Sequence, residues 1–407
     1  MKTLHQYIIN VVILSVIIFV VISCGTETGE AIRSSDDVPY DIVLEGGNFY
    51  VVGYDTVEGD ARWRIEKRVV TTGLLMESFG TAGVATSNIS TGFDVAKAIE
   101  LDASGIYIVG GDETLGAGNA QMRVEKRNKD TGSIVDSFFT DGAYIWNASD
   151  SDDISETIIL QVDRITVMSN THRGDSDSRL YYTRVQTDGQ AGDAYMGLNL
   201  YPSAVETVYD AIPHPSETRY SFVVGSEASS SDLNWLIIQA DQYNGVEQYT
   251  STNPSGNDDE ALALAGDGTN LYIAGYDMGN GTKQWRIQKH VMSDLSIVSG
   301  FGTSGVVTSV SGEATGIAAD STYIYVVGND DSTSERMWRI EKRTMDTGAL
   351  VSAFGSNGVV QSNPSTGIDG VTAVAVDSNN LYIVGWKMEN GYKRWHIEIR
   401  DKIIGAL

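Results

Sequence analysis

Tyr325-Val326-Val327-Gly328, Trp338-Arg339-Ile340-Glu341-Lys342-Arg343 and Phe354-Gly355-Ser356-Asn357-Gly358-Val359 follow one another within residues 325–359, and their recurrence decides the fold. The first stretch returns as Tyr50-Val51-Val52-Gly53, Tyr107-Ile108-Val109-Gly110, Tyr272-Ile273-Ala274-Gly275 and Tyr382-Ile383-Val384-Gly385. Phe222-Val223-Val224-Gly225 is a close variant, and Ile165-Thr166-Val167-Met168-Ser169 a degenerate one. Successive copies end 57, 59, 56, 50, 53 and 57 residues apart. The second stretch recurs from Trp63, Trp285 and Trp395, and the third from Phe79 and Phe301. Self-similarity at this period marks an array of like units.

Each clear unit carries four strand signals. A short apolar run ends in Asp (Val374-Ala375-Val376-Asp377) and a tight turn follows (Ser378-Asn379-Asn380). The aromatic-apolar strand ending in Gly is second, the Trp-led strand third, and the fourth brackets Phe-Gly-x-x-Gly-Val. Four short strands per unit of about 50 residues are the pattern of a propeller blade. The expectation is an all-β β-propeller of seven four-stranded blades, with six or eight blades or an incompletely closed ring as alternatives. Gly53, Gly110, Gly225, Gly275, Gly328 and Gly385 anchor the repeat, and Trp63, Trp285, Trp338 and Trp395 are expected to pack between blades. Arg64, Glu66 and Arg68 share the other face of their strand, which suggests cross-strand ion pairs.

Phe-Gly-x-x-Gly-Val, preceded by a turn (Thr347-Gly348-Ala349-Leu350) and followed by two further strands, resembles the bacterial delta-sixty repeats of secreted and surface proteins. The resemblance covers the first, second, fifth and sixth units and part of the seventh. It departs at Phe139, which replaces the first glycine, and in the third and fourth units, which lack the motif. It implies a propeller and no enzymatic role.

Residues 1–23 read as a signal peptide. Lys2 supplies a weak positive end, Ile8 to Ile22 is nearly unbroken apolar sequence, and Val21-Ile22-Ser23-Cys24 closes it. This resembles a bacterial lipobox, whose cysteine is lipidated and becomes the first residue after cleavage. Cys24 is the only cysteine, so no intramolecular disulfide or thiolate metal cluster can form. Residues 24–39 read as a lipidated acidic tether and 40–407 as the repeat domain. The last unit stops just after its third strand, so Gly29 to Ser34 is expected to supply a closing strand and remove the open edge. Gly25 after the cysteine points to a cell-envelope lipoprotein of the outer membrane or cell surface, if the host is Gram-negative.

The formal charge is −26. Such a surface repels nucleic acid and anionic headgroups and attracts cations and basic partners. The chain is expected to be a monomer whose membrane contact is the lipid anchor. His172, His214, His290 and His396 fall in different units without metal-ligand spacing, and no nucleophile elbow, phosphate loop or zinc-protease motif occurs. No catalytic residue is assigned. Arg173-Gly174-Asp175-Ser176 looks like an integrin-binding tetrapeptide, although Gly-Asp is also ordinary loop chemistry.

The residue two past each anchor glycine is expected to open a loop on one rim, which gives Asp55, Asp112, Glu227, Asp277 and Asp330, with Thr171 and Lys387 breaking the series. Tyr54, Tyr276 and Trp386 stand beside them, and the links between units add Asp150, Asp152, Asp153, Asp258, Asp259, Glu260 and Asp369. Converging carboxylates would suit calcium or a basic partner, although no dedicated calcium loop is present and a solvated acidic surface is the plainer expectation. No other cofactor is implied. The leading reading is a binding or scaffold module that presents a protein or carbohydrate ligand site on its loops. The alternatives are a secreted enzyme with its site at the channel mouth and a purely structural envelope protein.

Overall fold

The computed structural model describes residues 35–162, 164–173, 177–189, 206–229, 232–241, 243–279 and 281–407. Strands β1 (Val38–Glu45), β2 (Asn48–Val57), β3 (Asp60–Val69) and β4 (Val84–Ser87) form one antiparallel sheet in that order. A second comprises β5 (Val95–Leu101), β6 (Ile106–Asp112), β7 (Gln121–Arg127) and β8 (Ala143–Trp146). Next come β9 (Asp153–Gln161), β10 (Arg164–Arg173) and β11 (Asp177–Gln186), then β12 (Glu206–Pro213), β13 (Tyr220–Ser229), β14 (Asp232–Asp241) and β15 (Gly245–Thr252).

The fifth sheet is larger: β16 (Glu260–Gly266), β17 (Asn270–Asp277), β18 (Gln284–Val291), β19 (Val306–Ala319), β20 (Tyr323–Asp330), β21 (Met337–Thr344) and β22 (Val359–Ser362). The last comprises β23 (Gly370–Val376), β24 (Asn380–Glu389) and β25 (Tyr392–Asp401). The large sheet joins two repeats because β19 is continuous. Its Val306–Ser311 half pairs with β18, and its Gly312–Ala319 half pairs with β20. The architecture is all-β with the sheets arranged as a propeller. β1 begins at Val38, two residues inside the segment read as tether. The closing segment expected from Gly29 to Ser34 lies outside the described residues.

The repeated motifs build the joints between sheets. A side chain at Gly53 would place its Cβ 2.1 Å from the Val38 carbonyl oxygen and 2.9 Å from Cζ2 of Trp395. The first strand therefore crosses the second too closely for any other residue at this anchor. The tryptophans pack between sheets as expected. Trp63 Nε1 donates to the Gly111 carbonyl at 3.1 Å, and Trp285 Nε1 donates to Asn329 at 2.8 Å. Trp235, which the sequence did not mark, donates to Tyr276 at 2.8 Å.

Trp395 makes the same bond to Tyr54 at 3.0 Å, joining the last repeat to the first. The seam is further held by the Asp37 amide donating to the Lys393 carbonyl at 3.0 Å and the Lys393 amide donating to Asp36 at 2.9 Å. Phe49, Val51, Tyr382 and Val384 form one apolar cluster beneath it.

The Arg-Glu-Arg rows pair across strands, as Arg64 does with Asp55 at 2.9 Å and Arg339 with Asp330 at 3.4 Å, and also along their own strand. Glu125 accepts from Arg123 at 2.8 Å and from Arg127, and all three are buried. It also accepts from Ser87 of the preceding repeat at 2.8 Å, and Ser309 reaches Glu341 of the next repeat likewise at 2.6 Å. Charges buried this way need every partner present. Phe139 explains its own departure from the motif. It holds φ 47°, the left-handed backbone that glycine takes at 80, 302 and 355, and it packs on Phe138 and Tyr144.

Candidate functional site: the central channel

Every first strand of a repeat breaks register once against its neighbour. The extra residues are Tyr40, Lys97, Glu156, Tyr209, Leu262, Thr315 and Thr372. A bulge leaves one residue outside the ladder and re-aims its side chain. Here all seven line one central cavity of about 140 Å³, together with Asp41, Asp210, Gly316 and Val374. That volume holds a few water molecules or a small ligand group.

The wall is uneven. On one side Lys97 Nζ sits 3.0 Å from Glu156 and 4.5 Å above the Tyr40 ring. Desolvation alone would lower the Lys97 ammonium, but Glu156 and Tyr40 hold it above its usual value. Outside the lining itself, the hydroxyl of the wall residue Tyr209 bonds Glu260, and Tyr276 donates to the same carboxylate at 2.6 Å. Lys283 lies 3.8 Å above the Tyr276 ring and pairs with Glu313. The opposite side, at Thr315, Gly316, Thr372 and Val374, is small and neutral.

Asp41 and Asp210 hold equivalent places, just after the bulges of β1 and β12. Asp41 accepts the amides of Ile42 at 2.7 Å and Ile99 at 2.9 Å. Asp210 accepts those of Ala211 at 2.8 Å and Leu264 at 2.9 Å. Each thus staples one inner strand to the next. Burial pushes Asp41 up to about 6, and burial with help from Asp41 pushes Asp210 up to about 7. Glu100 is raised to about 7 by burial and by both aspartates. Carboxyls displaced this far toward neutrality change charge near neutral pH.

The rim expected from the sequence takes a different form. Asp55, Asp112, Asp277 and Asp330 end or lie inside second strands, and they are buried. The strands run further past the anchor glycine than the loop reading assumed. Asp55 receives Arg62 at 2.7 Å and Arg64 at 2.9 Å, and these hold its carboxyl below the usual range despite burial. Asp112 takes Gln121 at 2.9 Å, Asp277 takes Arg286 at 3.0 Å, and Asp330 takes Gln361 at 2.9 Å. Glu227 is partly buried opposite Glu206.

The link aspartates Asp94, Asp153, Asp259 and Asp369 are buried too, each accepting the amide and hydroxyl of a serine in its own link. Among the described residues, no three His, Cys, Asp or Glu side chains stand close enough to hold a metal ion.

Among the described side chains, the histidines do not converge. His290 is buried between the Leu295 carbonyl and Gln288, both at 2.8 Å, and burial pushes its pKa down. His396 faces Glu398 at 3.4 Å, and His214 accepts the Glu217 amide at 3.1 Å. Gly174, Asp175 and Ser176 of the Arg-Gly-Asp-Ser stretch lie outside the described residues, and nothing is described of the side chain of His172. The channel bulges were not foreseen, yet a signal existed. Each follows by three residues the position that opens its repeat, as in Asp37 and Tyr40, Asp94 and Lys97, Asp153 and Glu156, Asp259 and Leu262, and Asp369 and Thr372.

No protein-family model matches the chain, and no curated protein matches its sequence. Solved structures do. A puromycin hydrolase superposes with a TM-score of 0.52 at 11% identity, covering 92% of this chain and 53% of that one. The chain thus spans about half the length of that enzyme. Sqt1 of Chaetomium thermophilum, bound to the N-terminus of the ribosomal protein L10, gives 0.51 at 11% identity, covering 92% and 87%. The polysaccharide lyase Uly1 gives 0.50 at 10%, covering 92% and 91%. At such identities the likeness is one of fold alone, and the fold is a β-propeller.

Proposed function

We propose that the chain is a lipid-anchored binding module of the cell envelope: a seven-bladed propeller of delta-sixty type, non-catalytic, whose ligand site is the central channel. The observation that carries this reading is the contrast between joints and channel. The joints repeat the same Gly and Trp in most units and the same Ser-to-Glu bond in three, whereas the seven bulges are Tyr, Lys, Glu, Tyr, Leu, Thr and Thr. A repeat scaffold that varies chiefly where its strands meet a cavity has the form of a recognition surface. Seven inner strands line that cavity, which supports seven blades with β19 shared between two of them. The net charge of −26 and the carboxylates Asp41, Glu156 and Asp210 of the channel wall favour a basic partner.

One experiment tests both halves. Cys24→Ala is expected to move the protein from the membrane fraction to the soluble fraction as a folded domain, because an acyl chain is the anchor. The soluble chain, titrated calorimetrically at about 0.15 M salt with a lysine-rich peptide, should bind it saturably and ignore the glutamate counterpart. Persistent membrane retention would refute the anchor. Equal or absent heats for the two peptides would refute the basic partner.

A further inference from the structure

Away from the channel, the joints between repeats carry a second polar device. Lys67, Lys289 and Lys342 lie on the third strands of their repeats. Each donates from Nζ to a turn carbonyl of the following repeat, that of Lys129 at 2.8 Å, Met345 at 3.0 Å and Lys402 at 2.8 Å. These three acceptors hold equivalent places. At two of them the side chain is itself a lysine that reaches back to a turn carboxylate of the preceding repeat. Lys129 Nζ lies 2.6 Å from Glu45, and Lys402 Nζ lies 3.0 Å from Asp320. At the third place stands Met345. The carboxylate that corresponds there is Asp267, five residues before Tyr272 as Glu45 is before Tyr50 and Asp320 before Tyr325.

Asp267 and Asp320 are held alike. Oδ1 of Asp267 accepts the amides of Thr269 at 2.8 Å and Asn270 at 2.7 Å, and Oδ1 of Asp320 those of Thr322 and Tyr323 at 2.8 Å. Oδ2 accepts a tyrosine hydroxyl in both, from Tyr272 at 2.8 Å and Tyr325 at 2.9 Å. Oδ2 of Asp320 takes Lys402 as well, whereas Oδ2 of Asp267 takes the neutral side-chain amide of Asn270 at 3.1 Å. Beside Asp267 opens a cavity of about 440 Å³, with Lys289, Tyr323, Met345 and Asp346 in its wall. That volume suits a small ligand group. At the Lys129 joint Glu45 and Asp130 meet two cations, Lys67 and Lys129. Among the residues lining this cavity Asp267 and Asp346 meet one, Lys289. Lys342, 4.2 Å above the Tyr323 ring, is bonded to the next joint.

We propose that this cavity is a receptor site for a primary alkylammonium, the lysine side chain of a partner peptide, seated where Lys129 and Lys402 sit at their own joints. The ammonium makes a charge-assisted contact to Asp267, with Asp346 in the same cavity, and the alkyl stem packs on Met345 and Tyr323. The occupant is basic, as is the partner proposed for the channel, but the two cavities share no lining residue and are tested apart.

Two readouts on the full chain in detergent test the site. Isotope-labelled methionine methyl groups are followed by NMR, with the Met345 signal identified by its loss in Met345→Leu. Nα-acetyl-lysine N-methylamide is expected to shift that signal saturably, with half-saturation at about 10 mM. The norleucine counterpart, which lacks the ammonium, should leave it in place, and Asp346→Asn should raise the half-saturation concentration several-fold. In Met345→Lys, carbodiimide should join position 345 to Asp267 as it joins Lys129 to Glu45. A Met345 signal that ignores the lysine probe, or follows the norleucine counterpart equally, would overturn the site. So would a Met345→Lys chain that yields the Lys129–Glu45 product without the new one. Putrescine binding more tightly than the lysine probe would overturn the peptide as the source of the ammonium. Peptide binding in the channel is untouched by any of these results.

Discussion

Gly53→Ala is expected to cost about 3 kcal/mol of folding stability, read as a lowered urea midpoint at unchanged slope. The added methyl would sit 2.1 Å from the Val38 carbonyl oxygen, 2.7 Å from Pro39 Cα and 2.9 Å from the Trp395 ring. Two of those atoms are backbone of a paired strand and the third belongs to the indole that closes the ring, so none can give way cheaply. Gly59→Ala is the natural control. Gly59 has φ 88° and nothing within 4 Å of its would-be Cβ, so alanine there meets only the left-handed backbone, worth roughly 1 kcal/mol. Equal losses at the two positions would show that close approach of the strands is not what selects the anchor glycine.

The second large effect lies at the seam. Removing residues 25–37 is expected to lower stability by about 2–4 kcal/mol and to broaden the melt, because the last sheet then loses its polar contacts to this segment and keeps only the Trp395 bond and the apolar cluster on the first. The loss includes the Asp37 amide bond to Lys393, the Asp36 carboxylate bond to the Lys393 amide, and the Arg394 pairing with Asp37 at 3.5 Å. It also includes the Asp37 carboxylate that holds the Thr56 amide at 2.8 Å. Removing residues 25–34 alone would separate these contacts from any made by the preceding segment. An unchanged melting temperature after the longer deletion would mean that the ring does not depend on this seam.

The fold was legible because the joints are built from residues whose chemistry shows in sequence. A glycine pressed by a strand, an indole reaching the next sheet and a carboxylate between two arginines recur at fixed offsets, and the period follows. Trp235 was missed because its strand, Asn234-Trp235-Leu236-Ile237-Ile238-Gln239, keeps the indole but none of the Arg-Glu-Arg row. At this joint the tryptophan stays and apolar packing replaces the flanking ion pairs, whereas β7 puts Met122 in the tryptophan's place and keeps the Arg-Glu-Arg row.

The channel was not legible for the opposite reason. Tyr40, Lys97, Glu156, Tyr209, Leu262, Thr315 and Thr372 share a position and no chemistry, so pattern matching passes over them. The acidic rim misled because an aspartate two residues past a glycine looks like turn chemistry. In the fold Asp55, Asp112, Asp277 and Asp330 are buried polar partners of the third strand or of its outer neighbour.

The most direct measurement of the closed ring uses native residues. Carbodiimide joins an ammonium to a carboxylate in contact with it, and the product can be read by peptide mass spectrometry. Lys97 with Glu156 at 3.0 Å and Lys129 with Glu45 at 2.6 Å are contacts between neighbouring repeats and serve as internal standards. Lys393 with Asp36, at 3.8 Å, spans the seam between the last repeat and the first. A closed ring predicts the Asp36–Lys393 product within single chains, alongside both standards. Both standards without any product linking Asp36 or Asp37 to Lys393 would contradict closure and leave an open array.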